Sequence, residues 1–275
     1  MTSRMTVVPG IDALEPSLGR LFVVVGVFDG LHRGHLYLLR ELERGAAERT
    51  ARATVITFDH HPDEILTGSA PPLLCDPAER LLLLERAGVE VTVVQTFDAA
   101  LRMTPYDVFI RRLAERVDLA GFLMTPDSAF GHDREGTPAA VAALGIARGY
   151  DVVVVPALDI DGRPVRSAVV RAAIAAGDLA EAARLLGRPV SIAGSARRTA
   201  DGAATILDPE LPVALPPDGG WAARVERPGH EGTLSRRLVV ADRTARLEPS
   251  VGVPDGTRLH ARLPVPAESG SLRRS

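Results

Sequence analysis

Lysine is missing from this chain: all 32 basic residues are arginines. A Schiff-base lysine and the lysine of a P-loop are therefore excluded, and whole mechanisms with them. Cysteine occurs once, at Cys75, which rules out an intrachain disulfide and a cysteine-rich zinc site and fits a reducing, cytoplasmic address. Long apolar runs are also absent. The longest near the N-terminus, residues 21–28, is too short to span a bilayer, stops at Asp29 and has no small-residue cleavage pattern behind it. Neither a signal peptide nor a membrane helix is expected. Charge is nearly balanced, 32 basic against 35 acidic residues, so bulk charge will not hold the protein on nucleic acid or on an anionic membrane. Any phosphate it binds must be bound locally.

What is present is an ordinary globular composition. At 275 residues and 46% hydrophobic content the chain can build one large domain or two small ones with a sizeable core. Between residues 21 and 156 short β-branched runs alternate with helix-like stretches, the pattern of a parallel sheet covered on both faces. Five strands are expected, over residues 21–27, 53–58, 89–95, 119–124 and 151–156, most of them continuously apolar as strands buried on both faces require.

The intervening helices carry start and stop signals. Asp76-Pro77 with Glu79, Thr104-Pro105 with Asp107, and Thr137-Pro138 each place a capping side chain before a proline at the first turn. Gly88 and Gly149 close the first and third of these helices. Ser167 and Asp178 read as caps of two more, with Gly177 and Gly187 as stops. The α/β region should therefore end near Arg188. Past Val190 proline, glycine and arginine rise and helical periodicity fades, leaving short apolar segments at 221–225 and 238–241 between turn signals. This reads as a small β module whose completeness the sequence leaves open, followed by a polar, arginine-rich tail over 267–275 that should fray.

The strongest local signal is Gly26-Val27-Phe28-Asp29-Gly30-Leu31-His32-Arg33-Gly34-His35, placed where the first of those strands ends and a helix begins. Ligands bind at the carboxyl ends of parallel strands, and a helix N-terminus there offers unpaired N–H groups to an anion. His32 and His35 lie three residues apart, so both rings can project to one side of a first turn. Glycines at 26, 30 and 34 allow a tight turn and close approach of a nucleotide. Two histidines taken alone serve equally as a metal pair or as polar cap residues; the ten-residue context at a strand–helix junction favours phosphate.

This segment resembles the H-x-G-H motif of the nucleotidylyltransferase superfamily, in the form found in bacterial bifunctional riboflavin kinase/FAD synthetases. Thr57-Phe58-Asp59-His60-His61-Pro62 is similar to that family's Thr-Phe-x-Pro-His-Pro, with His60 where proline is usual. Phe130-Gly131 with Arg134 and Gly136 resembles its flavin-side loop, and Leu185-Leu186-Gly187-Arg188-Pro189 its interdomain link. The likeness covers roughly residues 15 to 195. It implies a Rossmann-like nucleotidylyltransferase domain over 15–190, a riboflavin kinase-like β-barrel module over 191–266 and a flexible tail over 267–275.

The activity implied is FMN adenylyl transfer: FMN phosphate attacks the α-phosphorus of ATP, giving FAD and pyrophosphate. ATP and FMN are then the partners and Mg²⁺ arrives with ATP, with no dedicated protein metal site expected. His32 and His35 would donate to the triphosphate. Gly26, Phe28, Asp29, Gly30 and Gly34 would shape the nucleotide pocket, and Phe58, His61, Asp127 and Phe130 would face the flavin. Read alone, the two Phe residues fit core packing, and His61 with Asp63 fits a solvated loop.

The chain departs from the family at three places. Where the family has Ser-Ser-Thr-x-Ile-Arg to clamp the triphosphate, this chain has Arg166-Ser167-Ala168-Val169-Val170-Arg171. Ser167 and Arg171 survive to bind phosphate, with Arg166 in place of a serine; an N-cap and a solvated charge are the bland alternative. The flavin-side loop keeps Asp127, Phe130 and Gly131 but lacks the leading glycine and first phenylalanine. This loosens the inference to flavin and admits another phosphorylated acceptor. Finally, no Pro-Thr-Ala-Asn occurs between Ile192 and Leu215, so riboflavin kinase activity is expected to be absent. A non-catalytic flavin- or nucleotide-binding paralogue is the remaining alternative.

Overall fold

The structure is a computed structural model that describes residues 4–227 and 232–264; the expected tail over 267–275 lies outside them. The chain divides into two compact units, the first made of residues up to 71 with 80–165, the second of residues 72–79 with those from 166 on.

The first unit runs β1 (Thr6–Val8), β2 (Arg20–Val25), α1 (Arg33–Glu48), β3 (Arg52–Phe58), α2 (Asp63–Thr67), the greater part of α3 (Pro77–Arg86), β4 (Val91–Gln95), α4 (Ala99–Arg102), α5 (Tyr106–Ala114), β5 (Asp118–Met124), α6 (Pro138–Arg148), β6 (Asp151–Val154) and a small hairpin, β7 (Asp159–Ile160) with β8 (Arg163–Pro164). The first six strands form one sheet of order β1-β4-β3-β2-β5-β6, every pairing parallel. The five expected strands are all present. The sequence reading missed β1, a three-residue edge strand with a single buried side chain, Val8.

Side chains alternate across a strand, and β2 shows the consequence. Leu21 and Val23 enter one apolar layer with Ile56, Phe109, Ile110 and Phe122. Phe22 and Val24 enter the opposite layer with Leu39, Leu42, Val55 and Leu123. Each such side chain, removed from water, contributes about 2 kcal/mol. This two-sided burial fixes the sheet between its helices, and α1 reaches it through Leu39, Leu42 and Ala46 at helical spacing.

The caps are mixed. Asp76 Oδ1 accepts from Glu79 N at 2.9 Å, Thr137 caps α6 and Asp178 caps the helix after it. Thr104 does not cap α5: Pro105 holds the N-cap position, and the Thr104 hydroxyl instead donates to Ala100 O in α4 at 2.9 Å.

The second unit contains α7 (Ser167–Ala175), α8 (Leu179–Leu186) and six strands: β9 (Val190–Arg198), β10 (Thr205–Asp208), β11 (Gly219–Glu226), β12 (Thr233–Ala241), β13 (Thr244–Glu248) and β14 (Arg258–Leu263). The strands close into an antiparallel barrel of order β10-β13-β12-β11-β14-β9, which removes every open edge. Leu259, Ala261 and Leu263 of β14 are fully buried, while Arg258, His260 and Arg262 alternate with them. Ser167 is the first helical residue of α7 rather than its cap, a position held by Arg166. Residues 72–79 belong here because Leu73 pairs with the 212–214 backbone, Asp76 forms an ion pair with Arg258 and Ser191 donates to Glu79.

Candidate active site

Beyond Val25 the chain leaves the sheet through a strained turn. Gly26 N still donates to Ile56 O at 3.0 Å. Phe28 then takes a left-handed conformation (φ 52°), Gly30 has φ 74° and Leu31 φ 38°. For non-glycine residues such angles cost about 1 kcal/mol or more and persist where surroundings impose them. Here Phe28, Asp29 and Leu31 are almost fully buried, so the turn is held from all sides and delivers His32 to the N-cap of α1.

His32 is 4% exposed and its Nδ1 accepts from His35 N at 3.3 Å. An imidazole nitrogen that accepts carries no proton, so neutral His32 has its proton on Nε2 and presents a donor there. The His35 ring stacks on it, centroids 3.7 Å apart and planes at 17°, and the Phe28 ring lies 5.1 Å from that of His35, tilted by 51°. His35 Nδ1 is buried without a hydrogen-bond partner. Burial, and then the neighbouring His32, hold the His35 pKa well below the ordinary 6.5, so the ring is neutral at pH 7. Gly34 leaves room beside the stack: a Cβ there would lie 3.1 Å from His32 Nδ1 and from Val165 O, and one of them would have to give by a few tenths of an ångström. The expected convergence of the two rings is present, with His32 capping the helix rather than lying within its first turn.

Beside this turn a cavity of about 640 Å³ opens at the ends of the strands. Val25, Gly26, Val27, Phe58, His61 and Phe130 are among its lining residues. Phe58 meets Phe97 edge-on at 5.3 Å, and Phe130 leans on Phe109 and Phe122 at 5.7 and 5.8 Å. Aromatic walls of this kind suit a planar heteroaromatic ligand. His61 Nδ1 accepts from Asp63 N at 3.2 Å, and both residues line the cavity. Asp127 does not: it lines a neighbouring cavity of about 240 Å³ with Thr125, Ser128, Phe130 and Arg134, and its carboxylate accepts from Thr125 Oγ1 at 2.8 Å. Phe130 and Arg134 border both.

Ser167 and Arg171, four residues apart on α7, share one helix face and are half-buried, whereas Arg166 is exposed. These three stand in the second unit and the histidines in the first.

Sequence reasoning missed Phe97, Leu101 and Arg102 of the large cavity, although Phe97, two residues past β4, obeys the strand-end rule that located the histidines. It also missed Arg80. This α3 arginine is buried and donates to Val27 O at 3.0 Å and to Phe58 O at 2.6 Å.

Among the described residues no three His, Cys, Asp or Glu side chains converge as a metal centre, and no helix is long and apolar enough to cross a membrane.

A family model described as FAD synthetase matches residues 15–169. Among curated relatives, the bifunctional riboflavin kinase/FMN adenylyltransferase of Pseudomonas fluorescens is 32% identical over 191 residues, 69% of this chain and 61% of the relative. That of Haemophilus influenzae is 31% identical over 192 residues, 69% and 62% of the two chains. The match therefore spans about three fifths of the relatives' own length. A solved Streptococcus pneumoniae structure, described as a macrolide-efflux protein, shares the fold at TM-score 0.76 and 21% identity, covering 94% of this chain and 89% of that one. With the family model spanning more than half of its residues, the chain belongs to the FAD synthetase family.

Proposed function

We propose that the chain is an FMN adenylyltransferase. An oxygen of the FMN phosphate forms a bond to the α-phosphorus of ATP as the bond to the β-phosphate bridging oxygen breaks, so that FAD and pyrophosphate leave. The observation that carries this reading is the stacked His32/His35 pair on a helix N-terminus, next to an aromatic-walled cavity that Gly26 and Val27 also line. Phosphoryl chemistry of this kind needs alignment and charge stabilisation rather than a covalent nucleophile.

The roles follow from the site's state before substrate arrives. The α1 N–H groups and the His32 Nε2 proton offer hydrogen bonds to the triphosphate. Burial keeps the His35 ring neutral before substrate arrives, and an incoming polyanion favours the protonated form of a nearby imidazole just where charge grows on the leaving pyrophosphate. Phe58 and Phe130 would flank the isoalloxazine and His61 would face the acceptor's polar chain; for Ser167, Arg171 and Arg166, which stand in the second unit, a phosphate-binding role is what the family resemblance implies. Mg²⁺ bound with the nucleotide would supply charge neutralisation to the phosphates, an ion that keeps few protein ligands in that role; among the described residues no carboxylate cluster forms a dedicated site.

The barrel over 191–266 reads as a degenerate riboflavin kinase-like module behind a transferase domain over 15–190. Its support is the missing Pro-Thr-Ala-Asn between Ile192 and Leu215. A cytoplasmic setting fits the single buried Cys75.

Turnover with Mg-ATP and FMN, the product identified by mass, tests the reading. FAD from FMN, and no FMN from riboflavin, is the expected result. Binding of both substrates at background turnover would make the chain a non-catalytic paralogue, and adenylylation of a different phosphomonoester would reassign the acceptor.

A further inference from the structure

We infer that Arg80 is a positioning residue that sets the separation between the phosphate-binding turn and the aromatic wall of the acceptor cavity. The inference rests on the adenylyltransferase reading for its catalytic consequence, but the positioning itself can be measured without substrate.

Arg80 is only 4% exposed, and a buried guanidinium has to spend its donors on fixed acceptors. One terminal nitrogen donates to Val27 O at 3.0 Å, the other to Phe58 O at 2.6 Å. These carbonyls belong to different functional elements. Val27 immediately precedes the left-handed Phe28 and so fixes where the strained turn, and with it the His32/His35 stack, leaves β2. Phe58 is the last residue of β3, and its ring forms part of the cavity wall. The sheet ladder between β2 and β3 ends earlier, at Val25 paired with Ile56, so the two carbonyls lie past the last register pair and the fork replaces the missing ladder. Thr57 Oγ1 adds a second bond to Val27 O at 2.9 Å, reinforcing only the turn. A planar fork can bridge two carbonyls at fixed spacing, whereas a lysine ammonium is a point donor without that geometry.

The test compares wild type with Arg80→Met, Arg80→Lys and Thr57→Val. Hydrogen exchange on the ligand-free chains reads the positioning, and KM and kcat with Mg-ATP and FMN read its consequence. In Arg80→Met, exchange should quicken at residues 26–35 and 57–61 while barrel segments stay as in wild type, and kcat/KM should fall about 100-fold, the scale of a small misplacement of reacting groups. Arg80→Lys should restore protection to one of the two segments but not both, and it carries the test if the methionine variant does not fold. Thr57→Val should loosen residues 26–35 alone. Unchanged exchange at both segments in folded Arg80→Met, or uniform loosening of the whole first unit, would overturn the inference. Absence of turnover in wild type would instead count against the adenylyltransferase reading, with the exchange result still deciding the role of Arg80.

Discussion

Buried polar side chains occur in both units, but they are bonded to different ends. In the parallel-sheet unit, Thr57 and Arg80 tie down the backbone carbonyls of Val27 and Phe58 at the strand ends, and His32 caps the helix that begins there. In the barrel unit they join side chain to side chain across the fold, Asp76 with Arg258, Glu79 with Ser191 and Thr205 with Ser250, while Asp76 and Thr205 also accept from the Glu79 and Val251 backbone. The lesson is that burial of a polar group does not by itself mark a site. In a parallel sheet the ladder stops at the strand ends and side chains must organise the backbone beyond it, around a cavity. In the closed barrel every sheet edge is paired, and the buried polar groups hold distant segments together.

That contrast predicts opposite signatures for the two sets. The largest effect should come from His32→Ala, where loss of a phosphate donor is expected to lower kcat/KM by about 10³, roughly 4 kcal/mol, while loss of the cap costs only about 1 kcal/mol of stability. Activity within tenfold of wild type would remove His32 from the chemistry. Arg258→Ala should show the reverse. Asp76 is fully buried, and stripping it of that partner should cost about 3 kcal/mol in chemical denaturation with kcat of the folded protein unchanged; a large loss of kcat at normal stability would mean the barrel cluster belongs to catalysis.

Gly34→Ala should have a smaller effect, about tenfold on kcat, because the added Cβ presses on His32 Nδ1 and Val165 O and tilts the ring. Wild-type turnover would show that the ring stack has room to spare. The mildest signature is in pH. His35 in the native state binds a proton less readily than in the unfolded chain, so stability should be intact above pH 6.5 and decline as pH falls below it. His260, also lowered chiefly by burial, adds to that decline. Denaturant midpoints of wild type and His35→Gln at pH 7.5 and 5.5 separate the two, and equal acid losses would leave no part to His35.

The legible parts of this molecule are local in sequence. Residues 26–35 carry their strand end, tight turn and helix start within ten positions, so the turn and its converging histidines could be read before any fold was known, and the interior strands announce themselves as apolar runs. What stayed hidden depends on distance along the chain. Arg80 reads as one more charge on an amphipathic helix, because its acceptors lie 53 and 22 residues away. β1 has too few residues for a periodicity and exists because Thr6–Val8 finds β4. Thr104 carried a capping signal that a competing bond to Ala100 diverted. Phe58 and Phe130 could be read as core or as ligand wall, and both are adjacent to the cavity as well as to packed rings.

The eight residues from 72 to 79 lie early in the chain yet belong with the barrel. No single cut can therefore separate the two units intact. A clone ended at residue 190 would keep Asp76 and Glu79 but discard Arg258 and deprive the 72–79 stretch of the strand-flanking backbone at 212–214. Whatever chemistry the barrel carries, it is thus the scaffold for a stretch of sequence that precedes most of its neighbour, and a truncation that removes it leaves that stretch without its partners.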